Sequence, residues 1–516
     1  MSDHIVSLRP WAGVLEATED GFACIQSPEF IGGLEVSEDC LTLNIFTTNL
    51  TSINRPVMFW IHGGGFAVGS KDLYRMRGLI EEDVILVTIN YRLHALGFLS
   101  FGNDVVSGNM GLRDQQLAIR WVRENIREFG GDPEKITIFG ESAGGMSVQA
   151  QVLSPLNTGL LAGAIAHSGS ILFLNTMEQT SVASAVRTAE ALGCPTELDT
   201  RTLECLQKVD ILADLDKISD NDTALLIDPS LTQKFSFFPV VDSFSSSPFL
   251  PLDPLTALMT GMFSHVPYIS GFVKNEGALV SLAVKYSGKS SQEILGVVQE
   301  TGPHLPYSIL MTDQRLKRLA TRFYNHSEGD TEVEQERPAM DLITDSWFGS
   351  FDQKSVELMS RYSKHVYNFF LTQQTNNSLF SPGAELVVYT PTHGDDLAFI
   401  VNEKTVEDAE GLSEEERLTS RHMIRYWTNF AKYGDPSPVG RGDAPTWYPV
   451  TPTTKVSLTS ELGKPPAANR GVLECNDDFH TSLWVQMYRK IITKIMFKYS
   501  RLKIIKLTLR YSITWS

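Results

Sequence analysis

The stretch that most restricts how this chain can fold is Phe139-Gly140-Glu141-Ser142-Ala143-Gly144-Gly145. A β-branched run, Lys135-Ile136-Thr137-Ile138, leads into it, and small residues suited to a helix follow from Gly144. The pattern is strand, sharp turn, helix, with a serine at the apex. A glycine two residues to either side lets the backbone reverse tightly and leaves the serine hydroxyl standing above a sheet edge. A G-x-S-x-G pentapeptide alone occurs by chance, so its surroundings matter.

Upstream, Phe59-Trp60-Ile61-His62-Gly63-Gly64-Gly65-Phe66 takes a hydrophobic strand into a triple glycine. Such a loop brings backbone N–H groups close to a reacting oxygen, an approach that side chains would block. Each motif alone reads equally well as a tight strand-to-helix turn. Together, in this order, they point to an acyl-transfer site.

Between residues 58 and 167 strands and helices alternate. Val84-Ile85-Leu86-Val87-Thr88-Ile89 is a buried strand. Residues 112–129 have helical spacing, with Leu112, Leu117, Ile119, Trp121, Val122 and Ile126 at apolar positions, and Gly130-Gly131-Asp132-Pro133 ends them. A further strand is Ala162-Gly163-Ala164-Ile165-Ala166-His167. This alternation predicts an α/β class, with a mostly parallel sheet covered on both faces.

Beyond Ser170 helical segments dominate over 176–215 and 291–324. Short strands at Val266-Pro267-Tyr268-Ile269-Ser270-Gly271 and His365-Val366-Tyr367-Asn368-Phe369-Phe370 extend the same sheet, and the helices insert above it. Residues 421–433 form a late amphipathic helix, with Met423, Tyr426, Trp427 and Phe430 on one face. Residues 1–485 read as one domain.

From Trp484 onward the chain is basic and apolar by turns, and residues 486–516 stand apart as an atypical tail. It fits either a helix lying on an anionic membrane surface or an unstructured end. The formal net charge is −17, and the segment after Phe479 holds eight cationic residues and no acidic one, so the body is more acidic still. That balance argues against nucleic acid as a partner. No uncharged apolar stretch of about 18 residues is present to span a bilayer.

Five cysteines occur, Cys24, Cys40, Cys194, Cys205 and Cys475, and none lies in a CxxC pair, so zinc is not indicated. The first four fall into two local pairs, compatible with two short disulfides or with four buried thiols. Four glycosylation sequons begin at Asn49, Asn221, Asn325 and Asn376, little above chance for 516 residues. Met1-Ser2-Asp3-His4 is followed by no apolar run of the kind a signal peptide needs.

An activated serine needs a base, and the base an orienting acid. In the doubly wound hydrolase order both come after the serine. His393 lies in the polar loop Thr392-His393-Gly394-Asp395-Asp396, after the strand-like Glu385-Leu386-Val387-Val388-Tyr389. Glu276, in Lys274-Asn275-Glu276-Gly277, follows the strand ending at Gly271, at a carboxyl end where open α/β sheets bind ligands. A solvated loop histidine and a surface-turn glutamate are the plain alternatives.

With these pieces assembled, the chain resembles the type-B carboxylesterases, a family that includes the cholinesterases, and most resembles a general carboxylesterase. The matching motifs run in order through Ser37-Glu38-Asp39-Cys40-Leu41-Thr42-Leu43-Asn44, Gly63-Gly64-Gly65-Phe66, Asn90-Tyr91-Arg92, and Gly108-Asn109-Met110-Gly111-Leu112-Arg113-Asp114-Gln115. Phe129-Gly130-Gly131-Asp132-Pro133, the Ser142 turn, Asn275-Glu276-Gly277, His393-Gly394-Asp395-Asp396 and Tyr426-Trp427-Thr428-Asn429-Phe430-Ala431 complete the set.

The resemblance implies an α/β-hydrolase fold with helical insertions over the site. It implies a triad of Ser142 as nucleophile, His393 as base and Glu276 as acid, with an oxyanion hole from the N–H groups of Gly64, Gly65 and Ala143. Disulfides Cys24–Cys40 and Cys194–Cys205, a buried Arg92–Asp114 salt bridge, and a second carboxylate, Glu141, at the pocket floor follow from it too. The substrate is then a small carboxylic ester, with neither cofactor nor metal required. The family's usual route is secretory or extracellular; the missing signal peptide leaves the cytoplasm open.

Two departures stand out. Relatives usually begin tens of residues before Arg9-Pro10-Trp11-Ala12-Gly13-Val14, so the chain reads as N-terminally truncated, and the arginine that partners the position of Glu38 lies in the missing piece. The loop from Cys24 to Cys40 also lacks the tryptophan with which cholinesterases hold a quaternary ammonium, which argues against acetylcholine. The competing reading is a cholinesterase-like adhesion protein without catalysis; such members generally lack the serine that stands here at position 142. Ser287-Gly288-Lys289-Ser290 is no phosphate loop, because Ala283 stands where its first glycine belongs. His393, Asp395 and Asp396 lack a nearby second histidine to make a metal site.

Overall fold

The computed structural model describes residues 16–51, 53–176, 180–214, 237–278, 343–375, 390–401, 412–441, 444–451 and 459–462, with residues 13, 337, 340, 341, 377 and 378 besides. The expected helix over 291–324, the strand-like 385–389, the Ser287–Ser290 motif, Cys475, the sequon asparagines Asn221, Asn325 and Asn376, and the basic tail lie outside those residues.

Among the described residues one sheet has eight strands: β1 (Leu43–Phe46), β2 (Arg55–Ile61), β3 (Ile85–Ile89), β4 (Gly131–Glu141), β5 (Gly163–His167), β6 (Tyr268–Val273), β7 (Val366–Leu371) and β8 (Thr459–Leu462). Their spatial order is β8-β7-β6-β5-β4-β2-β3-β1. Every neighbouring pair is parallel except β1 with β3.

Alternating side chains explain why the central strands read as continuous apolar runs. Val57, Phe59, Ile61, Val87 and Ile138 enter one core, with Leu112, Ile119, Val148 and Val152 from the helices α1 (Met110–Asn125) and α2 (Ala143–Leu153). Met58, Trp60, Leu86, Phe139 and Ile165 face the other way, into a second core with Met423, Trp427 and Phe430. Each such side chain contributes about 1.5–3 kcal/mol when fully buried.

The later strands lie slightly further along the chain than their sequence signals. β6 runs on through Phe272 and Val273 because both pair with β7. The helix expected over 112–129 is α1 followed by a 3-10 turn, Ile126–Phe129; Trp121 is 37% exposed and Leu117 half-buried, while Asp114, Gln115 and Gln116 are buried. Gln115 turns inward because its amide donates to Ser147 Oγ at 3.1 Å and its Oε1 accepts from Gln151 Nε2 at 2.9 Å. The region expected to be helical over 176–215 holds α3 (Thr180–Ala191) and α4 (Thr200–Leu206). α5 (Ser350–Met359) lies against β6 and β7. The late helix, α6 (Glu414–Tyr433), starts a full two turns before position 421. Ser413 and Glu416 close a reciprocal capping box, and Gly434, at φ 70°, ends the helix.

Both expected disulfides are formed. Cys24 joins Cys40 and Cys194 joins Cys205, with Cα–Cα distances of 4.9 and 5.7 Å. Arg92 and Asp114 also pair, Nε donating to Oδ2 at 2.8 Å and Nη2 to Oδ1 at 2.7 Å. Among the described residues no helix is long and apolar enough to cross a membrane.

Candidate active site

The chain leaves β2 toward β3 on one side and β4 toward β5 on the other, so the gap between β2 and β4 is a topological switch point. Ligands in open α/β sheets bind outside the carboxyl ends of the strands at such a point. Ile61 stands beside Gly140 in the ladder. The glycine loop after β2 and the serine turn after β4 therefore emerge side by side. A Cβ on Gly63 would come within 2.6 Å of Glu141 O and 3.1 Å of Ser142 Cβ, so only glycine allows this approach.

Ser142 adopts φ 57° and ψ −123°, a region that costs a non-glycine residue energy and is held only by its surroundings. Its N–H donates to His167 O at 2.9 Å, and its carbonyl accepts the Met146 N–H at 2.9 Å. Although it occupies the N-cap position of α2, its side chain makes no capping hydrogen bond. The hydroxyl is left available for other chemistry. In the facing loop no acceptor among the described residues takes the N–H of Gly64 or Gly65.

Glu276 sits three residues past β6, fully buried, with Oε1 accepting the Val273 N–H at 2.9 Å. Its loop runs parallel to the histidine loop: Asn275 bridges Thr392, and the Asn275 N–H donates to Pro391 O at 3.0 Å. That pairing brings Glu276 Oε2 to 2.6 Å from His393 Nδ1 across 117 positions of sequence. Phe348, from the π-helical turn Thr344–Gly349, packs its ring 4.9 Å from the His393 ring. The same turn is tied to the acid's loop, since Gly277 N–H donates to Thr344 Oγ1 at 2.9 Å.

The other imidazole nitrogen, Nε2, lies 3.2 Å from Glu141 Oε1, the carboxylate of the residue before Ser142. No hydrogen bond joins His393 to Ser142 Oγ in this arrangement. The structure thus joins Glu276 to His393 directly and brings His393 to the Ser142 turn through Glu141.

Charge is concentrated here. Burial pushes Glu141 up to about 8; His393 pulls it down, while Asp396, Glu276 and Asp395 raise it further. For His393 burial works against the charged ring, yet Glu141, Glu276 and Asp396 outweigh it and lift the pKa to about 9. Burial also raises Asp395, to about 6.

Two contributors escape a reading of the sequence. Phe348 carries no local mark of its place beside His393. His167 looks like the end of a strand, but its fully buried ring contacts Asp396, 229 positions away, and Trp427, 260 positions away. The one available hint was the pair of aspartates following His393, since a buried carboxylate needs a partner.

Comparison with known proteins adds an independent line. Residues 6–476 match the model of the carboxylesterase family. The chain is 31% identical over 490 residues to a carboxylic ester hydrolase of Bombus ignitus, covering 92% of this chain and 85% of that protein. It is 33% identical to the bile salt-activated lipase of Mus musculus, over 86% of this chain and 74% of the relative. To venom carboxylesterase-6 of Apis mellifera it is 30% identical, over 83% of this chain and 78% of the relative. With the strand-turn-helix at Ser142 and the mainly parallel sheet beneath it, these matches place the chain in the carboxylesterase family, as an α/β-hydrolase enzyme that acts on esters.

Proposed function

We propose that the protein hydrolyses carboxylic esters through an acyl-enzyme on Ser142. The observation that carries this reading is the buried Glu276–His393 pair, whose second nitrogen lies 3.2 Å from Glu141 Oε1, on the residue next to Ser142. In its neutral form His393 takes the hydroxyl proton as Ser142 Oγ bonds to the ester carbonyl carbon. Negative charge then builds on the carbonyl oxygen, where the N–H groups of Gly64, Gly65 and Ala143 receive it. One such donor is typically worth about 3 kcal/mol in the transition state. The tetrahedral intermediate collapses, the C–O bond to the alcohol breaks, and the alkoxide leaves with the proton from His393. Water repeats the sequence on the acyl-enzyme and releases the acid. Glu276 holds the imidazole in the Nδ1–H tautomer throughout.

The substrates we assign are the lipid, juvenile-hormone-like or xenobiotic esters of a general carboxylesterase rather than acetylcholine. The Cys24–Cys40 loop holds no tryptophan, the residue with which cholinesterases hold a quaternary ammonium. The test is to label the protein with an organophosphate and assay p-nitrophenyl esters of increasing acyl length. Turnover and labelling are expected, and both are lost in Ser142→Ala, with the fold unchanged. A folded Ser142→Ala protein that still hydrolyses esters rejects the assignment.

The two disulfides support passage through an oxidising compartment. Asn49 stands in an exposed turn between β1 and β2, its Oδ1 accepting from the Thr51 N–H and Oγ1 at 2.8 and 2.7 Å, and it is the sequon we assign as glycosylated. A mass shift on enzymatic deglycosylation of secreted protein, absent in Asn49→Gln, checks this.

A further inference from the structure

We infer that His167 is a positioning residue that clamps the Ser142 turn to the loop bearing His393. The inference rests on the serine-esterase reading and adds a residue to it.

His167 ends β5, beside Glu141 in the ladder. It reaches the nucleophile turn through its main chain, because its carbonyl accepts the Ser142 N–H at 2.9 Å. A Cβ on Gly145 would come within 2.6 Å of that same carbonyl, so α2 sits directly over it. Its side chain reaches the opposite way. The indole of Trp427 donates from Nε1 to His167 Nε2 at 2.8 Å. An indole N–H can only donate. Nε2 must therefore be the unprotonated nitrogen, and the ring proton is fixed on Nδ1.

That Nδ1–H faces Asp396 Oδ2 at 2.5 Å. Asp396 is three residues after His393, in the 3-10 turn Asp395–Phe399 that Gly394 opens at φ 80°. The turn is stiffened from within, as Thr392 N–H donates to Asp395 Oδ2 at 2.7 Å and Asp395 N–H to Thr392 O at 2.9 Å. His167, Asp396 and Trp427 are all fully buried, and Phe369 stacks edge-on against the His167 ring at 5.6 Å. One residue thus bonds to Ser142 by its backbone and to the His393 loop by its ring. This is a second buried histidine–carboxylate pair, distinct from His393–Glu276. It touches no reacting atom, so its effect is on alignment.

The chemistry of the clamp suggests its own control. A glutamine at 167 keeps both functions, since its amide oxygen can accept from Trp427 and its NH₂ can donate to Asp396. A leucine keeps neither. The test compares wild type, His167→Leu, His167→Gln and the double variant His167→Leu with Asp396→Asn. It measures kcat, KM, urea midpoint and amide exchange. We expect His167→Leu to lose about 10–100-fold in kcat with little change in KM, the scale of a misplaced reacting group. His167→Gln should recover most of that loss. In the double variant, which no longer strands a buried carboxylate, the urea midpoint should return toward wild type while kcat stays low.

Amide exchange reads the clamp without turnover. Residues 139–146 and 392–397 should lose protection together in His167→Leu, while β3 stays protected. Full kcat in His167→Leu, a glutamine variant as slow as the leucine one, or recovery of kcat together with stability in the double variant would each overturn the proposal. If His167→Leu fails to fold, the glutamine and double variants decide it. An inert wild-type enzyme sinks only the esterase reading, because the joint loss of protection is measured independently of it.

Discussion

Glu276 Oε2 accepts the Nδ1–H of His393 at 2.6 Å, and neither residue is exposed enough for water to compete for that bond. Replacing the acid by its amide keeps the shape and removes the charge that fixes the imidazole. Glu276→Gln is expected to lower kcat by about 10³–10⁴-fold with a small change in KM, as the wrong tautomer becomes populated. Steady-state kinetics on one p-nitrophenyl ester, alongside circular dichroism to confirm the fold, measures it.

On the proposed mechanism, Glu141 is one of the carboxylates that set the pH at which His393 can act as a base. Its ionised carboxylate helps to hold His393 up at about 9, so the neutral ring, and with it kcat/KM, increases as pH rises toward that value. Glu141→Gln removes one raising charge, so the His393 pKa falls and the rise in kcat/KM moves to lower pH, by roughly one unit or more. The step that Glu141 itself contributes near 8 also disappears. A pH–rate profile of both proteins decides this, and an unmoved profile would falsify it.

Gly144 packs against the carbonyls of Ile61 and His62, and an added Cβ would collide with the first of them. Gly144→Ala should therefore push α2 away from β2, costing about 1–3 kcal/mol of stability as an overpacked site does. Activity should fall further than stability, because the displaced segment begins at Ala143. Urea titration paired with ester turnover separates the two effects.

Cys24 and Cys40 are 16 positions apart. Changing both to serine should cost about 3 kcal/mol by the chain-entropy account. The denaturation midpoint of the double variant should match that of wild type reduced at this bond.

Much of the fold that carries this candidate site is legible in the sequence. The alternation between 58 and 167 announced itself because parallel strands buried on both faces must be apolar along their whole length. Ser142 and Glu276 each follow a strand, at the carboxyl end of the sheet, and the bridge from Asn275 to Thr392 brings the loop of His393 to the same end. The start of α6 was also encoded, in Ser413-Glu414-Glu415-Glu416, but apolar spacing alone points only to the buried second half of that helix. Spacing assigns Trp121 to the core, yet it is 37% exposed, while the buried Gln115 is held inside by Ser147 and Gln151. His167 and Phe348 could not be found this way. Their roles exist only through partners in distant segments, and neither residue type marks its own surroundings.

The backbone of Ser142 is held at φ 57° and ψ −123° by hydrogen bonds to β5 and α2 and by the close seat of the glycine loop. A conformation imposed from three sides relaxes as soon as one of them loosens. On the proposed mechanism, ester turnover should therefore be lost at a lower denaturant concentration than the circular-dichroism signal of the sheet. The active fraction of a warmed sample should accordingly be smaller than its folded fraction, which active-site titration against circular dichroism would measure.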